Sequence, residues 1–495
     1  MRRLIVCLVS ALPLLCSSTL RAENAETPFT AEGVRGPSFI DSTTAGFSDP
    51  KFDAFSPSSI EQVSATSTSA PELDSDGVRL DALEKKFNDF LTSSKTTTYP
   101  TVKINGVFQA DFGWISQDDD SLARYGRIKN GADFRRARLS ASGALTEVNN
   151  YFLQMDFAFF GKPTFTDLWV EQTDLPVLGN FRVGQWKQPF SLEVVSSFRY
   201  TTFVERSVLF QPFTPFRHLG AGFYDRNDDL TATWAASAFA AGQDQYGGSI
   251  ATAGGIGTAE RFTLLPYYDE QSDGRYYLHM GAGHYFSAPN DHAVNFRTIP
   301  EMYVGQYNSA ADPNPGQQPV PTTIRGVPFF VATGTLPVDH YNVLGSELLW
   351  VNGPWSLQSE GMANFVNRLN ASNVFFYGAY AQVGYFLTGE HRPYDRKAGA
   401  IDRIKPFENF FRVRGEDRGI CRGSGAWELA ARLSYLHLND QDVRGGTLTD
   451  VTGGLNWYLN PYTKCQLNYI HAFSTNATSV LANTDLFDIR VQMDF

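Results

Sequence analysis

The sequence predicts an all-β chain, a transmembrane antiparallel β-barrel of about 16 strands. Long loops are expected to fold into its lumen, and a short helical or coiled-coil arm to precede it. Three observations lead there. Aromatic residues make up 14% of the 495 positions, with 39 Phe, 22 Tyr and 42 Gly, and mean hydropathy is only −0.25. The longest apolar run, Leu4–Leu15, is too short for a membrane helix of about 20 residues. From Thr101 onward, apolar and polar residues alternate with period two over stretches of about ten residues, the spacing of strands with lipid on one face and water on the other.

Taken in order, residues 1–22 read as a secretory signal: Arg2 and Arg3, an apolar core, then Arg21-Ala22. Cys16 follows Pro-Leu-Leu rather than the small residues of a lipoprotein site, so no lipid anchor is expected. Residues 23–77 are rich in Ser, Thr, Pro and Ala and form a low-complexity periplasmic linker. In 78–92, Leu80, Leu83, Phe87 and Phe90 have heptad-like spacing, which predicts a short helical or coiled-coil segment. Residues 101–495 then form the barrel.

The alternation is explicit in several segments. Arg136, Arg138 and Ser140 interleave with Ala137, Leu139 and Ala141. Glu428, Arg432 and Ser434 interleave with Trp427, Leu429, Leu433 and Tyr435. At the end, Asp488, Arg490, Gln492 and Asp494 alternate with Phe487, Ile489, Val491, Met493 and Phe495. Strands are expected near 101–116, 132–147, 150–161, 164–174, 179–188, 217–226, 229–241, 260–268, 275–287, 339–350, 354–365, 371–387, 426–438, 447–459, 463–473 and 485–495. Their number is even, and barrels of about 16 strands leave a water-filled lumen. With the last strand ending in the periplasm, parity puts the turns Val148–Asn150, Asn352–Pro354 and Asn460–Tyr462 on that side. Three connections are too long for simple turns: Pro189–Phe216 and Pro289–Val338 outside, and Gly389–Gly425 in the periplasm. Such loops are expected inside the pore.

No HExxH, GxSxG, P-loop or GxGxxG pattern stands at a suitable junction, so neither enzyme chemistry nor a cofactor is expected. The eight His lack metal-ligand spacing, and His279 and His284 fall on opposite faces of one strand. Without the signal, Cys421 and Cys465 remain, as one disulfide or as two inert thiols. A net charge of −11 argues against nucleic acid as a partner, so any taste for anions must be local.

The local cations are few. Arg136 and Arg138 share the polar face of a strand, with Arg135 beside them. Lys187 leads into the first long loop, which carries Ser197, Arg199 and Arg206 and runs to Arg217. The periplasmic connection holds Arg392 and Arg396. Arg presents a fixed fork of donors to phosphate and carboxylate, and rings of Arg or Lys select ions in anion pores. The competing role is bracing, through pairs with Asp156, Glu193, Glu205, Glu408 or Glu416.

Several runs, in order, resemble the phosphate-selective porin O and P family. They are Asp133-Phe-Arg-Arg-Ala-Arg-Leu139, Gly184-Gln-Trp-Lys-Gln-Pro-Phe190 through Ser196-Ser197 to Phe203-Val-Glu-Arg206, Leu387-Thr-Gly-Glu-His-Arg-Pro-Tyr394, Gly454-Leu-Asn-Trp-Tyr-Leu-Asn-Pro461 and Asn468-Tyr469. The closing aromatic Phe495 also resembles the terminal signal of outer-membrane barrels. The resemblance implies a homotrimeric outer-membrane porin of a diderm bacterium, set in lipid, with loops lining an anion path. Where phosphate-selective members carry a Lys and a Ser-Ser pair, this chain has Val194, then Ser197 followed by Phe198. The expected function is passive diffusion of small anions, phosphate or other oxyanions. The rival is a general or sugar-type porin, whose aromatic slide would face Arg and carboxylates in the lumen.

Overall fold

A computed structural model describes residues 83–87, 98–158, 164–241, 255–304, 327–414, 420–475 and 480–495. The chain divides into two units, Met1–Leu83 and Glu84–Phe495, and every strand belongs to the second. The expected signal peptide and linker lie outside the described residues. Of the expected 78–92 segment, residues 83–87 are helical, with Leu83 and Phe87 exposed.

Among the described residues, sixteen long strands form the barrel. They are β1 (Lys103–Gln117), β2 (Gly131–Ala144), β3 (Asn149–Asp156), β4 (Thr164–Leu175), β5 (Gly179–Lys187), β6 (Arg217–Arg226), β7 (Ala232–Ala240) and β8 (Gly255–Tyr268). The circuit continues with β9 (Tyr276–Pro289), β10 (Leu336–Asn352), β11 (Trp355–Arg368), β12 (Val374–Phe386), β13 (Ala426–Asp440), β14 (Val443–Asn460), β15 (Thr463–Thr475) and β16 (Leu481–Asp494). Each pairs antiparallel with the next, and β16 returns to β1 with Asp494 opposite Val107 and Arg490 opposite Asp111. Closure leaves no strand edge unpaired, as a bilayer demands. The strand count and order agree with the expectation. The third strand ends at Asp156 rather than near 161 and β16 begins at Leu481 rather than near 485; β8 begins at Gly255 rather than near 260, and β14 at Val443 rather than near 447. Small residues (Gly255, Gly257, Gly445, Gly446) had blurred the starts of β8 and β14.

Burial runs opposite to that of a soluble protein. Gln109, Asp488 and Arg490 are completely buried, while Leu433, Val451 and Tyr469 are about half exposed. A wall with polar residues inside and a continuous apolar exterior needs lipid around it. Outward aromatics gather at the short-turn ends, where Trp427 stacks on Trp457 at 4.9 Å and Trp355 meets Tyr385 at 4.4 Å. Near the opposite ends Phe365 meets Phe375 at 5.0 Å. These are girdle positions. Leu433 lies midway along β13 and is 54% exposed. Leu433→Arg is expected to lower the unfolding free energy in lipid by about 2–4 kcal/mol, the cost of a cation at the bilayer midplane. Urea titration in vesicles reads it.

The described parts of the β5–β6 and β9–β10 connections turn inward, as does the β12–β13 connection as far as Ile404, whereas Phe407, Phe410 and Phe411 are exposed. The β5–β6 and β9–β10 loops build an apolar core inside the barrel from Phe190, Leu209, Phe213, Phe296, Ile299 and Met302, packed on Tyr341, Phe376, Leu436 and Ile470 of the wall. Phe190 sits in a notch of two glycines. A methyl group at Gly283 or Gly345 would lie 2.9 Å from its ring. The β12–β13 connection reaches the same interior from the short-turn end, where Ile401 N donates to Ser196 Oγ at 3.1 Å.

Candidate functional site: the constriction and the cation-lined cavity

The β5–β6 loop is held across the lumen by buried carboxylates. Its short helical turn Leu192–Val195 leaves backbone N–H groups without helical partners. Glu360 of β11 accepts two of them, from Leu192 at 3.0 Å and Glu193 at 2.8 Å, and also accepts from Tyr380 Oη at 2.6 Å. Within the loop, Glu193 accepts from Ser207 N at 3.0 Å and Ser207 Oγ at 2.9 Å. Glu205 points back to the wall and meets Arg135 and Arg490, each at 2.7 Å. Burial alone would raise the Glu205 carboxyl, but the guanidiniums of Arg135, Arg490 and Arg136 hold it well below the ordinary carboxylate range. It is an anchor that stays charged.

With the loop core filling one side, open space remains against β3–β8. A cavity of about 520 Å³ lies there. Seven cationic side chains line it: Arg182, Lys187, Arg199, Arg217, Arg226, Arg261 and Lys397. Its lining includes only two carboxylates, Asp167 and Asp225. Four of the seven are ion-paired, Arg182 with Glu171, Arg199 with Asp494, Arg217 with Asp167 and Arg261 with Glu347, which leaves Lys187, Arg226 and Lys397 without a carboxylate within 4.0 Å among the described residues.

The expected site residues take different positions. Arg135 bonds Glu205 and lies 4.0 Å from the Tyr303 ring. Arg136 donates to Gln109 Oε1 at 2.7 Å and lies 4.0 Å from Glu205. Arg138 pairs with Asp156 at 2.6 Å. Lys187 Nζ donates to the carbonyls of Ser196 at 2.8 Å and Val195 at 3.4 Å, and no carboxylate stands within 4.0 Å of it among the described residues. Ser197 Oγ accepts from Arg199 at 3.3 Å, and Arg199 lies 3.6 Å from Asp494. Arg206 donates to the Glu193 carbonyl at 2.8 Å and stacks over Phe210 and Phe216. Arg217 pairs with Asp167 at 2.8 Å. Thus the structure brings Lys187, Ser197, Arg199 and Arg217 to one cavity. Arg392 is fully buried against Glu428, and Arg396 reaches Glu270 at 2.7 Å beside the β8–β9 turn. Val194, standing where a Lys is found in phosphate-selective members, is buried with Phe210 and Phe216. Cys465 carries a free thiol.

Arg182, Arg226 and Arg261 are cavity cations not among the ion contacts expected from sequence, whereas Lys397 belongs to the cationic periplasmic connection marked there. Arg182 had a usable signal, since it sits between outward Phe181 and Val183. Arg261 is masked by its neighbour Glu260, which faces outward and binds His284 at 2.9 Å. His279, on the inner face of the same strand, is fully buried, so the two His do lie on opposite faces.

A closed barrel of this size with an infolded loop and a cation-lined lumen defines a channel of the outer-membrane porin class. The chain belongs to the phosphate-selective porin O and P family, whose family model matches residues 102–495. Porin O of Pseudomonas aeruginosa is 24% identical over 403 residues, covering 76% of this chain and 84% of the relative. An uncharacterized protein of Caulobacter vibrioides is 26% identical, covering 74% of this chain and 67% of that protein. Among solved structures, OmpT of Vibrio cholerae in its trimer form superimposes with a TM-score of 0.45 at 11% identity, over 80% of this chain and 99% of OmpT. Family and fold together place the protein in the outer membrane and point to a channel rather than an enzyme.

Proposed function

We propose that the channel passes small anions, phosphate or other oxyanions, in preference to cations. The observation that carries this is the cavity lining, in which Lys187, Arg226 and Lys397 have no carboxylate within 4.0 Å among the described residues, beside four arginines that are each ion-paired. No chemical step is involved. Cationic side chains replace part of the ion's hydration, and several weak sites let it move on. Lys187, Arg199 and Arg217 are the proposed ion contacts. Arg135, Arg136, Arg138, Arg206 and Arg392 keep the loops seated, and Arg396 lies at the periplasmic mouth. Export by the segment 1–22 and assembly as a homotrimer belong to the same proposal.

The sugar-type reading draws on Phe152, Trp169 and Tyr224 in the same cavity. However, Trp169 is flanked by Phe152 at 5.7 Å from β3 and by the Arg182 guanidinium at 3.9 Å from β5. The indole is therefore already engaged by protein groups from β3 and β5, which supports anion passage over sugar stacking.

The test is the reversal potential of purified protein in planar bilayers under a potassium chloride gradient, repeated with added phosphate. Anion-sided reversal with current reduced by phosphate is the expected result. Cation-sided reversal overturns the proposal, and anion preference without a phosphate effect limits it to anions in general.

A further inference from the structure

Glu301 belongs to the β9–β10 loop and Arg432 to β13, yet they form one buried unit with the constriction loop. Arg432 Nε donates to Glu301 Oε2 at 2.9 Å. The carboxylate also accepts from Ser434 Oγ at 2.5 Å and Thr452 Oγ1 at 2.9 Å. On its other side Arg432 donates to Glu193 Oε1 at 3.3 Å and to the Glu205 carbonyl at 3.1 Å. Its guanidinium lies 4.4 Å from the Phe203 ring of the same loop. Both Glu301 and Arg432 are 2% exposed.

We propose that Arg432 couples the two loops, so that the seat of the β9–β10 loop helps to set the width and ion preference of the constriction. Glu301 and Arg432 are positioning residues for permeation, and neither lines the cavity. The physical basis is the planar guanidinium, whose fork serves two carboxylates at once in a fixed plane. Glu193 is cross-linked to Ser207 and, through its carbonyl, to Arg206. The segment from Glu193 to Ser207 therefore moves as one piece. A shift of Glu301 pulls Arg432, and Arg432 pulls that piece. Arg490 ties the same segment to the wall separately, through Glu205, so the loop stays inside the barrel when Arg432 changes. The proposal rests on the β5–β6 loop being the constriction.

Glu301→Gln, Arg432→Gln and the double variant test it, each first shown to be folded by its β-rich circular dichroism. Single-channel conductance and liposome swelling with neutral solutes of increasing size read width. The reversal potential separately reads ion preference. Either single substitution is expected to change neutral-solute entry by at least about twofold, the lower end of what coupled residues deliver. The double variant is expected to add nothing beyond the larger single effect, as for partners in one network. Thr452→Val, which deletes one hydrogen bond to Glu301, is expected to shift the same readouts in the same direction by less. Unchanged width in Glu301→Gln, or additive effects in the double variant, overturns the coupling. A wrong sign of ion preference in the unaltered protein overturns the anion reading and leaves the swelling result standing.

Discussion

Lys187→Glu is expected to turn the channel toward cations. One unit charge at 5 Å from a passing ion contributes about 0.8 kcal/mol even at the dielectric constant of water. Reversing its sign doubles that, to about 1.6 kcal/mol for an anion, and shifts cations equally in the opposite direction. The anion-to-cation ratio should therefore fall by about two orders of magnitude in the limit of full exposure to the site, and by about thirtyfold after screening at 0.1 M salt. Lys187→Gln should give about half that effect in free energy. The ammonium also bonds the carbonyls of Ser196 and Val195, so Lys187→Gln keeps a donor there and separates charge from loop support. Reversal potentials of the two variants check both values. Equal potentials in Lys187→Glu and the unaltered protein would remove Lys187 from the ion path.

Arg490→Met is expected to destabilise the barrel more than any change at the cavity. Arg490 is completely buried, with two bonds of 2.6 Å to Asp111 and one of 2.7 Å to Glu205, and it also holds the Val204 carbonyl. Removing the cation leaves the buried Asp111 carboxylate without its guanidinium, while Glu205 keeps Arg135. Breaking one partner of a buried pair costs about 3–5 kcal/mol. The midpoint of urea unfolding in vesicles should fall accordingly. Arg490→Met with Asp111→Leu should recover part of the loss, because one orphaned charge has gone. The effect reaches function as well, since Arg490 is the joint between β1, β16 and the constriction loop.

Much of the barrel is legible along the chain because strand periodicity is local. Arg490 had to face inward once Ile489 and Val491 faced lipid, and the same parity put Glu428 and Arg432 inside. The connections whose described parts fold inward were marked by length alone. The site was less legible. Arg136, Arg138 and Arg392 looked like ion contacts from sequence, yet Arg138 and Arg392 are closed off by Asp156 and Glu428, 18 and 36 residues away. Asp156 is one of the carboxylates expected to brace these arginines, and Glu428 is not.

The sequence by itself determined which side chains could meet water inside the barrel, because a period of two leaves each strand residue only two faces. It also marked the loops that enter the lumen. What only the tertiary structure decided is which inward charges cancel. Arg490 and Asp111 are 379 residues apart, and Arg432 and Glu301 are 131 apart, so no local pattern relates them. Their pairing depends on barrel closure and loop infolding. The net field left in the cavity at Lys187 is the remainder after those long-range pairs have formed.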